Sequence, residues 1–250
     1  MSGPLRIEER EDRVVVTLFR PEKRNAIDAD LVDALHGVCA MLERDPRLLL
    51  LTGGTDGIFA AGADIEQLRA RGRLDALAAI NMGLFERIRR LPMPSLAAID
   101  GPALGGGAEL AYACDLRICT PRAFFGQPEV RLGIVAGAGA CFRLPALIGE
   151  GLAKELLFTG RRVLAEEALA IRLVNRVVAT PAELLPIGHA VLDEIAQASP
   201  LAVRLTKLAV DAPAGAHPHL DLVSQAVLFE DDEKRARMTA FLERRRPNAG

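Results

Sequence analysis

"IDGPALGGGAELAYACD", residues 99–115, decides how the chain is read. It opens in an apolar run, SLAAID (95–100), with the composition of a buried strand. Three glycines and then small and apolar residues follow, marking a tight turn into a helix near 107–114. DLRICT (115–120) reads as the next strand. Strand, glycine turn, helix and strand in this order belong to an α/β core. One acid, Glu109, interrupts the apolar helix. On its own it reads as exposed or salt-bridged, but it lies four residues after Gly105, within a turn of helix-start N–H groups that have no partner inside the helix.

The same alternation extends toward the N-terminus. Residues 5–19 read as two short strands around a charged turn, with Pro21 ending the second. Leu31, Leu35, Val38 and Leu42 fall at helical spacing between Asp28, a cap, and Pro46. LLLLT (48–52) is a buried strand, Asp64 caps a helix that begins at Ile65, and one further helix is expected over 74–90. Toward the C-terminus helices dominate, at about 139–147, 149–158, 165–171, 182–197, 200–210, 219–230 and 232–246. Strand-like pieces at 161–164 and 174–178 interrupt them. The expected organisation is a strand-containing core over 1–197 and a helical appendage over 198–250, broken internally at DAPAGAHPH (211–219).

Half of the 250 residues are hydrophobic, enough for a sizeable core. Lys and Arg number 31 against 33 Asp and Glu, and Phe and Tyr total ten without a basic-aromatic stripe. Neither balance favours nucleic acid. The uncharged run from Leu132 to Phe142 is well short of the roughly 20 residues that span a bilayer. The first residues lack a secretory or transit pattern, so a cytoplasmic protein without membrane attachment is expected. Cys39, Cys114, Cys119 and Cys141 show no CxxC spacing and read as reduced core residues.

Several chemistries drop out. The turn after SLAAID offers Gly101, Ala103 and Gly106 where a dinucleotide fingerprint needs three glycines, and no GK[ST] follows any glycine loop. Only four serines occur, none in GxSxG. His217, His219 and Asp221 lack a third well-spaced soft ligand, so no metal site is expected. What remains is a set of carboxylates and glycines in three segments: FAAGADI (59–65), GGGAE (105–109) and GQPEVRLGIVAGAGA (126–140). Two glycine- or alanine-rich helix starts facing each other would aim backbone N–H groups at one oxygen. Glu109 and Glu129, if they converged there, would hold water and move a proton.

These segments, with RPEKRNAID (20–28) and MTAFLERRRP (238–247), resemble the enoyl-CoA hydratase/isomerase (crotonase) superfamily over nearly the whole chain. The resemblance implies an α/β spiral of ββα turns with a C-terminal helical trimerisation region, assembled as a homotrimer or a dimer of trimers. It implies an acyl-CoA thioester as substrate and no separate cofactor. The N–H groups of Ala63 and Gly106 would form the oxyanion hole, Glu109 and Glu129 the acid/base pair, and Gly137 would position the attacking water. Arg24, Asn25, Ala61, Asp64, Ile65 and Arg244 would bind CoA, Arg244 across a subunit boundary. Both acids together favour hydration of a 2-enoyl-CoA. The alternatives are a 3-enoyl to 2-enoyl isomerase and a non-catalytic CoA-ester or RNA-binding module. This chain departs from the family pattern at Glu66, where a lysine is common, at Gln225, where an aromatic residue is common, and at Ala136 and Ala140 around the retained Gly137 and Gly139.

Overall fold

Strands β1 (Leu5–Glu9) and β2 (Arg13–Leu18) form an antiparallel pair around the charged turn. Helix α1 (Ala29–Arg44) then begins where Asp28 accepts the Leu31 N–H, and it buries the four expected apolar positions. β3 (Leu48–Thr52) joins β2 in parallel and is buried along its whole length, as a parallel strand covered on both faces must be. The described residues of this computed structural model are 3–244.

After β3 the chain forms α2 (Ile65–Ala70), α3 (Arg73–Leu77) and α4 (Ile80–Arg89) before returning to the sheet as β4 (Ser95–Ile99). The single helix expected over 74–90 is therefore two. Ala79 interrupts it in a left-handed conformation, φ 52°, that an L-residue adopts only at a break. β5 (Pro102–Leu104), α5 (Gly106–Ala113), β6 (Leu116–Cys119) and β7 (Phe124–Gly126) follow. β5 and β7 were not anticipated: three residues are too few for a period of two to declare itself. A 3-10 turn over Pro128–Leu132 holds Glu129. Helices α6 (Ala140–Ile148) and α7 (Glu150–Thr159), β8 (Val163–Leu164), α8 (Ala165–Ala170), β9 (Arg176–Val177) and α9 (Pro181–Ala196) complete this part.

Two sheets result, one of six strands in the order β1-β2-β3-β4-β6-β9 and one of three in the order β5-β7-β8. Each turn of chain adds one strand to the large sheet and a short one beside it, so the chain winds as a spiral. Register makes this concrete. Leu51 pairs with Ala97 and Ala98 with Ile118 in the large sheet, while Ala60, Ala103 and Phe125 stack on successive turns of the small one. Asp100, fully buried at the corner between β4 and β5, ties turns together. It accepts from Thr120 Oγ1 (2.7 Å), Arg122 Nε (2.7 Å) and Gly57 N (3.1 Å). Burial opposes its charge, but these donors, led by Arg122, hold the carboxyl below its ordinary range.

The chain divides into two compact units after Leu192, inside α9 and a few residues before the expected boundary at 197. Beyond α9 lie α10 (Pro200–Asp211), α11 (His219–Phe229) and α12 (Asp232–Arg244), with the 211–219 interruption where the prolines required it. Leu222, Val223, Val227, Phe241 and Leu242 are exposed on α11 and α12. Cys39, Cys114 and Cys119 are buried, as expected of core thiols. Cys141 is exposed instead, because it follows directly on the glycine turn at the first, open turn of α6.

Candidate active site

The three consecutive glycines have three different reasons to lack a side chain. Gly105 sits at φ 50°, and a Cβ there would fall 2.7 Å from Glu129 Oε1. At Gly107 a Cβ would stand 2.2 Å from the Ala60 carbonyl oxygen, so two adjacent turns of the spiral touch backbone to backbone. At Gly106 there is room: the nearest atoms, Ala63 N and Ile27 Cδ1, are both 3.7 Å away. Gly106 thus borders a void into which the Ala63 nitrogen also faces.

The FAAGADI segment delivers Ala63 through a network that leaves its N–H over. Ala61 N donates to Arg24 O (3.1 Å), Ile27 N to Gly62 O (2.8 Å) and Asp64 N to Ile27 O (3.3 Å). Between them Ala63 lies in a parallel bridge with Ile27, and its own N–H has no acceptor among the described residues. Gly106 is the first residue of α5, where helix geometry provides none either. Asp64 accepts Glu66 N (3.0 Å) and Gln67 N (3.1 Å), which starts α2 where expected.

Glu109 is 3% exposed, on a helix whose eight residues are all buried. It is neither exposed nor salt-bridged. Its Oε1 accepts Ala138 N (2.8 Å) and Ala140 N (3.0 Å), so the AGAGA segment grips the carboxylate with alternate amides. Burial raises its proton affinity, and those hydrogen bonds partly offset the rise. Glu129 is half-buried and its carboxyl is pushed up to about 7, first by desolvation, with the nearby Glu109 charge adding to the rise. With its amide nitrogen turned to Glu129, Gln127 donates to Oε1 (3.1 Å) and Oε2 (3.0 Å). Gln127 was not singled out in sequence; its only signal was adjacency to Pro128-Glu129.

Ala63, Gly106, Glu109, Glu129 and Gly137 line one cavity of about 560 Å³. Segments far apart in sequence therefore meet around a space that holds two unclaimed N–H groups and two carboxyls of raised proton affinity. That combination suits a carbonyl group that gains negative charge while a proton moves nearby. The opposite wall comes from α2, α3 and the start of α4, through Leu68, Ala76 and Ile80 among others.

The remaining candidates lie outside that lining. Arg24 and Asn25 both adopt left-handed conformations in the turn before α1. The Asn25 side chain is a latch rather than a free contact: it is buried, accepts Arg20 N (2.8 Å) and donates to Phe59 O (3.0 Å). Those bonds fix the turn that carries Arg24. Asp64 carries an ion pair with Lys23 (3.5 Å), and Ile65 is exposed. Arg244, also exposed, ends α12 in the helical unit. His217 pairs with Asp221, and among the described residues no three His, Cys, Asp or Glu side chains gather as a metal ion would require.

Comparison with known proteins shows the family. The family model described as Enoyl-CoA hydratase/isomerase matches residues 8–249. The chain is 39% identical to crotonyl-CoA hydratase of Syntrophomonas wolfei, with 97% of this chain and 96% of that one covered. It is 38% identical to short-chain-enoyl-CoA hydratase of Clostridium acetobutylicum, with 95% and 94% covered. A crystal structure of enoyl-CoA hydratase from Bacillus anthracis superposes with a TM-score of 0.91 at 31% identity, over 98% of each chain. With its spiral of strands, its paired carboxyls and this extent of likeness, the chain belongs to the enoyl-CoA hydratase/isomerase family.

Proposed function

We propose that this protein adds water across the double bond of a 2-enoyl-CoA to give a 3-hydroxyacyl-CoA. The observation that carries the reading is the convergence of Glu109 and Glu129 on the cavity bordered by the Ala63 and Gly106 amides. The thioester oxygen accepts from those two N–H groups, which draws electron density from C3. Glu109, held by Ala138 and Ala140, takes a proton from water as its oxygen bonds to C3. Glu129, with a carboxyl protonated up to about pH 7, gives its proton to C2. The Gly137 N–H steadies the water. Pre-aimed donors need no reorganisation as charge develops, which is why they outperform solvent.

CoA lies against Arg24, the Ala61 carbonyl, and the start of α2 at Asp64 and Ile65, with Arg244 reaching a neighbouring subunit. The exposed apolar side chains of α11 and α12 support assembly as a trimer or dimer of trimers. Loss of enoyl-thioester absorbance with crotonyl-CoA tests the reaction. Activity on a 3-enoyl-CoA alone, with none on crotonyl-CoA, would replace hydration by double-bond isomerisation, for which one carboxyl suffices.

A further inference from the structure

Asn81 stands in the same cavity, and no step above uses it. It is the second residue of α4, two residues after the left-handed Ala79 that breaks the helix. Its Oδ1 is buried without a hydrogen-bond partner. Buried polar atoms are nearly always satisfied, so an amide kept where an apolar side chain would fit calls for a reason. The reason lies at its other end. Asn81 Nδ2 is 3.8 Å from the point where a side chain at Gly106 would begin, and Ala63 N is 3.7 Å from that same point. Three nitrogen donors, two from the backbone and one from Asn81, therefore surround one void, and Ile27 Cδ1 closes it with an apolar wall. An acceptor oxygen seated in that space, clear of the Gly106 Cα, has Ala63 N and Asn81 Nδ2 on its borders.

We propose that Asn81 is a third hydrogen-bond donor to the thioester oxygen and acts mainly on the enolate. The proposal rests on the thioester-binding reading above. A thioester carbonyl has two lone pairs, which the Gly106 and Ala63 amides occupy. As C3 is attacked, the oxygen gains negative charge and accepts a third bond more strongly. A donor of this kind favours the transition state over the bound substrate, so it raises kcat and leaves KM nearly unchanged. The apolar wall keeps water from competing for the oxygen.

The test compares wild type with Asn81→Leu, Asn81→Ala and Asn81→Asp, using two readouts. One is kcat and KM for crotonyl-CoA. The other is the absorbance of a bound arylacryloyl-CoA, a conjugated thioester whose band moves to the red as its carbonyl is polarised. Asn81→Leu is expected to lower kcat by about 10- to 100-fold, to change KM by less than about threefold, and to shrink the red shift. Asn81→Asp is expected to fall below Asn81→Leu, because its charge faces the enolate, which a packing role would not predict. Asn81→Ala removes the donor without added bulk and serves if the leucine variant does not fold. A red shift and kcat equal to wild type in the leucine or alanine variant, or full activity in the aspartate variant, overturns the proposal. Wild type that shifts the chromophore, loses the shift on substitution, and still leaves crotonyl-CoA unhydrated would sustain the donor and reject the hydratase reading.

Discussion

The cavity has two walls of opposite character. One, from Gly105 to Ala140, presents a helix with every residue buried, a glycine pressed against the neighbouring backbone, and a carboxylate gripped by two amides. The other is formed by α2 and α3, which bury no residue and line the cavity through Leu68, Asp75 and Ala76 among others. The first wall holds donors and acids, where an error of an ångström is costly. The second has few contacts to fix it and faces the same space, so it is suited to receive the variable part of an acyl group. In the proposed function, chemistry sits on the densely buried wall and acyl fit on the exposed one.

The largest expected effect attacks the rigid wall. Gly107→Ala sets a methyl 2.2 Å from the Ala60 oxygen, and neither backbone can retreat without breaking the stack of spiral turns. Destabilisation by about 4 kcal/mol or more is expected, seen as loss of folded protein or an early urea transition. Gly106→Ala meets nothing closer than 3.7 Å and should fold normally, yet it fills the void, so thioester turnover should drop. Equal behaviour of the two variants would break the distinction between a packing glycine and a site glycine.

Next come the acids. Glu109→Gln and Glu129→Gln should each lower crotonyl-CoA turnover by about 10²- to 10⁴-fold while folding persists. Near-normal turnover in either would remove that residue from the mechanism. The pH profile follows from Glu129. The proposed reaction draws on its proton, so kcat/KM should decline as pH rises past about 7.

Stability has the same sign. A carboxyl whose folded proton affinity is raised binds more protons folded than unfolded. The fold is therefore most stable, in this respect, below the ordinary carboxyl pKa of 4.5 and loses stability as pH climbs through about 7. Glu129→Gln should flatten that slope in denaturant titrations at several pH values, and an unchanged slope would assign it elsewhere.

The smallest effect belongs to the open wall. Exchanging Leu68, a half-buried lining residue of α2, for serine should alter stability by about 1 kcal/mol or less and leave crotonyl-CoA turnover near wild type. Discrimination among longer acyl chains is where a change should appear. A large loss with crotonyl-CoA would show that this wall too is part of the fixed machinery.

Legibility followed the same division. Where residues were buried and periodic, as in α1, LLLLT and the helix after the three glycines, their pattern announced the element. The broken helix at Ala79 was read as continuous, because alanine is a good helix former and gives no local sign of a left-handed turn. β5 and β7 exist because neighbouring turns offer them partners, which no pattern within three residues can express. Gln127 and Asn81 were missed since an amide signals nothing until its surroundings are known.

By itself the sequence determined the long elements and their order, the helix starts at Asp28 and Asp64, and the two acids and the glycine turns as the groups with chemistry to do, but neither β5 and β7 nor the break at Ala79. Hydrophobic period and capping are local properties, settled within a few residues. Only the tertiary structure decided that Glu109 and Glu129 meet, which of three adjacent glycines leaves open space, and that AGAGA closes on Glu109. Stacking the spiral's turns creates those contacts, and it also supplies the desolvation that raises both carboxyls.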